Sequence, residues 1–290
     1  MTIKDIENIF EKTSPYMYRI LRTADILKWQ EENSENEHIG VLDFSELEGF
    51  EGVLIAALEY NPQEPELPEG CMSISPYYYF SNRYYMKLSN DLRPAEDRGE
   101  IRILRNSPLK VLANISGLGY YGKNSIIHNG EFGSSMFLYG VGINVEENES
   151  IEWNGINNVF SDCGSCRRCI EACPTGALDE SGLLNRGKCI RNYMLEGTQV
   201  PEEIGKKMGK RLLGCDVCRN VCPKNNRLSA RERMPDYDRE IFLIRNYLDN
   251  REKGLKRFIN PLSEWIGRNY ARTKRVLYQC EIIDGNDKDV

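Results

Sequence analysis

The stretch Cys163–Pro174, CGSCRRCIEACP, decides how the chain is read. Its spacing, C-x2-C-x2-C-x3-C-P, is that of bacterial ferredoxins, in which the fourth thiolate serves the other of two 4Fe-4S clusters. Farther on, CDVCRNVCP places Cys215, Cys218 and Cys222 as C-x2-C-x3-C-P, and Cys189 stands alone between the two runs. Eight thiolates make two sites of four: Cys163, Cys166, Cys169 and Cys222 on one, Cys173, Cys189, Cys215 and Cys218 on the other. Zinc also accepts four thiolates, but its sites separate their C-x2-C pairs instead of crowding four cysteines into one run. The two remaining cysteines, Cys71 and Cys280, read as small buried hydrophobes.

Working outward, the totals set limits. The chain has 290 residues and ten cysteines, and it is long enough to bury a sizeable core without disulfide staples. No run of eighteen apolar residues occurs, and MTIKDIENIFEKTSPY has no basic segment followed by an apolar one. Neither a membrane span nor a signal peptide is expected, and a cytoplasmic address follows. The net charge of −6 is unevenly spread, since residues 206–275 hold 19 Lys and Arg against 8 Asp and Glu. That local +11 reads either as solvated basic helices or as a patch for phosphates.

Before the cysteines, Ser116–Ser125 reads SGLGYYGKNS. Gly117, Gly119 and Gly122 satisfy the dinucleotide fingerprint, and with Lys123 they nearly complete a phosphate loop, with Asn124 where Ser or Thr should stand. Ser107 as N-cap, Pro108 in the first turn and the stripe Leu109, Leu112, Ile115 place a helix ahead of the loop, which Gly117 ends. A phosphate loop follows a strand and opens a helix; here the order is reversed, and two strands joined near Asn129-Gly130 come after. What remains is the meaning of glycine itself, a backbone that comes close to something flat or bulky.

Upstream, apolar spacing over residues 1–30 predicts two helices broken at Ser14-Pro15. A polar loop follows at 31–38, then short strands in IGVLDF (39–44) and GVLIAALEY (52–60), and a proline-rich irregular stretch. Five tyrosines between residues 77 and 85 read as core packing. Downstream, residues 201–214 form an amphipathic connector, residues 239–280 are helical and basic, and the acidic tail EIIDGNDKDV is expected to fray.

Together, the GLGYYGKN loop, CGSCRRCIEACPTGAL, the lone cysteine in GKCIRNY, and GCDVCRNVCPKN resemble the epoxyqueuosine reductase family, over roughly residues 83–226. The resemblance implies an α+β fold: a nitroreductase-like cobalamin-binding α/β domain (1–155), a ferredoxin-like double 4Fe-4S domain (156–230) and a short helical C-terminal segment (231–290). It implies two 4Fe-4S clusters and cobalamin as cofactors, with Gly117, Leu118, Gly119, Tyr120, Gly122, Lys123, Asn124 and Ser125 against the corrin. Neither His38 nor His128 is set in a D-x-H-x-x-G motif, so no histidine ligand to cobalt is expected.

The implied reaction is the reductive opening of an epoxide in tRNA, or of a similar electrophile, which needs a proton donor above the corrin. In RYYMK, Arg83–Lys87, Tyr84 stands where the family has its donor aspartate and Met86 replaces a histidine. Related reductive dehalogenases use a tyrosine donor, so Tyr84 is the expected acid; the competing reading is a packed tyrosine. The stretch from Lys87 to Gly117 is short for the family and lacks its acidic DSAP-x-x-E segment, which weakens tRNA as the substrate. The expected partners are tRNA and a ferredoxin- or flavodoxin-like electron donor, with the chain a monomer. The alternative function is an electron-transfer or activating protein that reduces a partner's corrinoid or flavin.

Overall fold

The computed structural model describes residues 1–34, 42–145, 152–157, 161–196, 199–225 and 232–288. The core is built on an antiparallel four-stranded sheet in the order β1-β2-β7-β4. Helix α1 (Ile3–Glu11) opens the chain, capped reciprocally by Thr2 and Asp5. Then come β1 (Tyr16–Arg22), α2 (Thr23–Glu32) and β2 (Gly52–Glu59). Residues 16–22 are thus a strand, not the continuation of a second helix. Ile20 and Leu21, which read as a helical stripe, alternate across the sheet, Ile20 into one apolar cluster and Leu21 into the other. Of the strand expected at 39–44, positions 39–41 lie outside the described residues, as do His38 and part of the polar loop; Leu42–Phe44 is irregular.

The short β3 (Ser73–Ile74) leads into the long α3 (Pro76–Asp97), which carries the tyrosine run; β4 (Ile101–Ile103) and α4 (Leu109–Ile115) follow. Helix α4 is present as expected but is not capped by Ser107. The carboxylate of Glu46 takes both the Ser107 N–H, at 2.8 Å, and its hydroxyl, at 2.7 Å. The next pair, β5 (Tyr120–Tyr121) and β6 (Ile127–His128), make a hairpin with each other, and β7 (Met136–Ile143) pairs instead with β2 and β4.

Alternate residues of β2 divide the core. Leu54, Ala56 and Leu58 face α1 and α3, while Val53, Ile55 and Ala57 face α2 and α4. The cysteine segment adds α5 (Arg168–Ala172), α6 (Ile190–Glu196), α7 (Glu202–Met208), β8 (Arg211–Leu213) and α8 (Val217–Asn220). Strand β8 pairs in parallel with β3, Ser73 opposite Arg211 and Ile74 opposite Leu213.

Helices α9 (Arg239–Phe242), α10 (Ile244–Leu248), α11 (Lys256–Ile266) and α12 (Thr273–Lys288) complete the described chain. The acidic tail is therefore helical to Lys288, held by Val276, Cys280 and Ile283, which are fully buried. One apolar cluster, with members as far apart as Ile6, Tyr84, Met194, Leu213, Phe258 and Ile283, runs across the boundaries drawn at residues 155 and 230.

Candidate iron–sulfur centres and the adjoining loop

The eight cysteines of the two runs and Cys189 are free and half-buried, whereas Cys71 and Cys280 are fully buried, Cys280 against the Met72 sulfur at 3.7 Å. The thiols fall into two electrostatic neighbourhoods. Burial raises the Cys222 thiol above its ordinary value, and Cys163 and Cys166 add to the effect; burial, with Cys163 and Cys222 as neighbours, raises Cys169. In the other set, burial pushes Cys218 up to about 12, with Cys215, Asp216, Cys189 and Cys173 contributing; Cys215 is raised by burial, Asp216 and Cys189. The thiols thus act on one another within two sets, Cys163, Cys166, Cys169 and Cys222 in one and Cys173, Cys189, Cys215 and Cys218 in the other.

Among the described residues no three His, Cys, Asp or Glu side chains converge on a single ion. Four thiols apiece is the ligand count of a 4Fe-4S cluster. Cys173 differs from the rest: burial opposes ionisation, but the backbone N–H groups of Thr175, Ala177 and Gly176 hold its thiol below the ordinary value, Ala177 N–H at 3.3 Å.

The glycine loop lies against this segment. The Lys123 ammonium donates to the carbonyls of Gly164, at 2.9 Å, and Cys166, at 3.3 Å, and pairs with Glu180 at 2.8 Å. The Asn124 side chain reaches the Cys218 carbonyl at 3.5 Å and His128 Nε2 at 3.0 Å, and the Ser125 hydroxyl donates to the Gly182 carbonyl at 2.5 Å. Leu118 and Tyr120 are buried, Tyr120 stacked on His128 at 5.8 Å. The loop needs glycine because of its own hairpin: a Cβ at Gly119 would stand 2.6 Å from the His128 carbonyl oxygen, and one at Gly122 2.8 Å from the His128 ring. The polar side chains expected at a corrin are therefore turned to the cysteine segment.

Beside the loop is Lys110, whose ammonium donates to the Ser125 carbonyl at 3.1 Å. Lys110 and Tyr121 are solvent-exposed, yet the protein packed around them drives Lys110 down and Tyr121 up to about 12. Arg191 and Arg186 also press on Lys110, and the Cys218 thiol acts on it in the opposite sense. Lys110 is thus within electrostatic reach of Arg186, Arg191 and Cys218, and with Tyr121 it offers polar groups next to the loop that could face a large cofactor.

Tyr84 is 5% exposed. Its hydroxyl donates to the Glu59 carbonyl at 2.9 Å and lies 3.2 Å from the Ser14 hydroxyl, which donates to the same carbonyl at 2.5 Å. Burial pushes the phenol up to about 12. In this arrangement its proton belongs to the core.

Two contacts that the sequence reading missed fasten the cysteine segment to the sheet. Asn225 Oδ1 accepts the Ser134 N–H at 2.7 Å and its hydroxyl at 3.0 Å. Buried Arg219 donates to the Tyr60 hydroxyl at 2.5 Å. Nothing in CDVCRNVCPKN marks these two polar residues as different from surface ones, because their partners lie far away in the chain.

The fold and the thiol sets define a double-cluster iron–sulfur protein on an α+β core, and residues 162–225 match the 4Fe-4S double cluster binding domain. The chain is similar to epoxyqueuosine reductases. It is 38% identical to that of Prochlorococcus marinus over 129 residues, 44% of this chain and 39% of the relative, and 31% identical to that of Gloeobacter violaceus over 193 residues, 62% and 58%. The matched region thus spans about two-fifths of the first relative's length. The solved epoxyqueuosine reductase from Streptococcus thermophilus shares the fold over 99% of this chain and 82% of its own, with a TM-score of 0.70 at 21% identity. An epoxyqueuosine reductase with an epoxyqueuosine-modified tRNA-Tyr stem loop superposes with a TM-score of 0.68 at 23% identity, over the same shares. Among the described residues no helix is long and apolar enough to cross a membrane.

Proposed function

We propose that the chain is a cobalamin- and iron–sulfur-dependent reductase that acts on epoxyqueuosine in tRNA or on a similar electrophile. The observation that carries this reading is the set of eight half-buried thiols in a segment that matches the 4Fe-4S double cluster binding domain, in a chain similar to epoxyqueuosine reductases. Cys163, Cys166, Cys169 and Cys222 hold one cluster, and Cys173, Cys189, Cys215 and Cys218 the other. The clusters would supply single-electron transfer, and a corrinoid would supply the reduced centre that opens the electrophile. Tyr121 and Lys110, the latter donating to the Ser125 carbonyl, would hold that cofactor, while Lys123, Asn124 and Ser125 fix the loop to the cluster segment so that cofactor and cluster stay adjacent.

A proton-donor role for Tyr84 requires its hydroxyl to leave the Glu59 carbonyl. The closed geometry of Tyr84 favours the second reading on that point, an electron-transfer or activating protein in which this tyrosine does no chemistry.

Anaerobically reconstituted protein is expected to hold about eight irons per chain, to take up hydroxocobalamin with a change in its absorption spectrum, and to convert an epoxyqueuosine-containing tRNA stem loop. Uptake without conversion overturns the substrate assignment. Failure to take up cobalamin overturns the reductase reading and leaves the electron-transfer one.

A further inference from the structure

We propose that Arg219 is a positioning residue that neutralises Asp216 beside the cluster held by Cys173, Cys189, Cys215 and Cys218, and thereby sets that cluster's reduction potential. This rests on the ligand assignment above. Arg219 follows Cys218 directly and is 2% exposed. Its guanidinium grips Asp216 with two nitrogens, Nη2 to Oδ2 at 2.7 Å and Nε to Oδ1 at 3.2 Å. The third nitrogen, Nη1, donates to the hydroxyl of Tyr60, whose ring centre lies 5.3 Å from the guanidinium carbon. Tyr60 is itself buried, just past the end of β2, and the Arg219 carbonyl is held by the Asn225 amide at 2.7 Å. The arginine is thus held from the sheet side by Tyr60 and within its own turn by Asp216.

A buried charge is expensive unless it is paired, and apolar residues would dock α8 to the sheet at less cost. What the pair provides is a cancelled carboxylate. Asp216 directly follows Cys215 and Arg219 directly follows Cys218, so the ion pair lies within one residue of two ligands of that cluster. Reducing a cluster adds one negative charge at those sulfurs, and an uncompensated carboxylate in the same poorly solvated region opposes it. With Arg219 in place, the electron arrives beside a neutral pair; without it, beside an anion.

The test is a mediated redox titration, followed by electron paramagnetic resonance, of the reconstituted full-length chain, in which the mediator supplies one electron per cluster. Arg219→Gln is expected to lower the midpoint of one cluster by at least a tenfold shift in its reduction equilibrium, ~59 mV, and to leave the other unmoved. Asp216→Asn should raise the same midpoint, Arg219→Lys should keep most of the parent value, and the double variant Asp216→Asn with Arg219→Gln should return close to it. If Arg219→Gln loses iron, the sign of the Asp216→Asn shift decides. The proposal is overturned if Asp216→Asn and Arg219→Gln leave both midpoints at the parent value, or move one in the same direction. A parent chain with far fewer than about eight irons refutes the ligand assignment instead, a different failure.

Discussion

Gly214 is the residue on which the join between sheet and cluster segment turns, and replacing it with alanine probes that join directly. It stands between β8 and Cys215 with φ +91°, a conformation that costs an L side chain about 1–2 kcal/mol. A Cβ there would also lie 2.4 Å from the Ser75 Cβ and 3.0–3.1 Å from two carbons of the Tyr78 ring. Neither neighbour is free to give way. Ser75 N–H donates to the Leu213 carbonyl at 2.8 Å, and Tyr78 is 2% exposed. Overpacking of this kind costs about 1–3 kcal/mol, so Gly214→Ala should lose about 2–5 kcal/mol in all.

Gly164, in the first cysteine run, supplies the control. It too has a positive φ, +50°, but nothing lies within 4 Å of its would-be Cβ, so Gly164→Ala should lose only the backbone part, about 1–2 kcal/mol. Urea denaturation followed by near-ultraviolet circular dichroism measures both, and iron content after reconstitution reports whether Cys215 and Cys218 still meet Cys173 and Cys189. Equal losses for the two variants would refute the packing argument, because backbone conformation would then account for everything.

Cys222→Ser and Cys189→Ser should each cut iron from about eight to about four per chain, and the surviving cluster signal should differ between the two variants; identical residual spectra would mean the partition is wrong. Tyr84→Phe should cost only about 0.5–1.5 kcal/mol, since the Ser14 hydroxyl still serves the Glu59 carbonyl, and an unchanged turnover rate would remove Tyr84 from the chemistry. At Glu46, burial works against ionisation, but the Ser107 hydroxyl and the N–H groups of Asn106, Arg105 and Ser107 outweigh it and hold the carboxyl below the usual range. A depressed folded value means this stability is complete above about pH 4.5, the ordinary glutamate value, and fades as pH falls below it. Glu46→Gln should therefore lose about 1–2 kcal/mol at neutral pH and lessen the acid sensitivity of unfolding; an unaltered pH profile would count against the assignment.

The double-cluster segment was legible because cluster ligands repeat at short, fixed spacings, and residues 162–225 match a 4Fe-4S double cluster binding domain. The α+β class was implied by the resemblance to epoxyqueuosine reductases, and the apolar run Gly52–Glu59 is the strand its length suggested. Tyr16–Arg22 misled because adjacent Ile20 and Leu21 satisfy a helical stripe and a strand between two cores alike; only the pairing with β2 chooses. Ser107 failed as a cap because a carboxylate from a remote turn claimed it. The helical tail could have been read from Val276, Cys280 and Ile283, spaced four and three apart, had its acidity not been weighed more heavily. The roles of Lys123, Asn124 and Arg219 were not readable, because each depends on a partner brought near only by tertiary folding.

The parallel pairing of β3 with β8 bears on the order in which the molecule is made. Ser73 donates to the carbonyl of Lys210, 137 positions farther along the chain, so on the ribosome the first cysteine run emerges before that edge of the early core can close. Loading of the first run with metal and closure of the core then overlap in time, and scarcity of iron during synthesis would register as a folding fault as well as a missing cofactor.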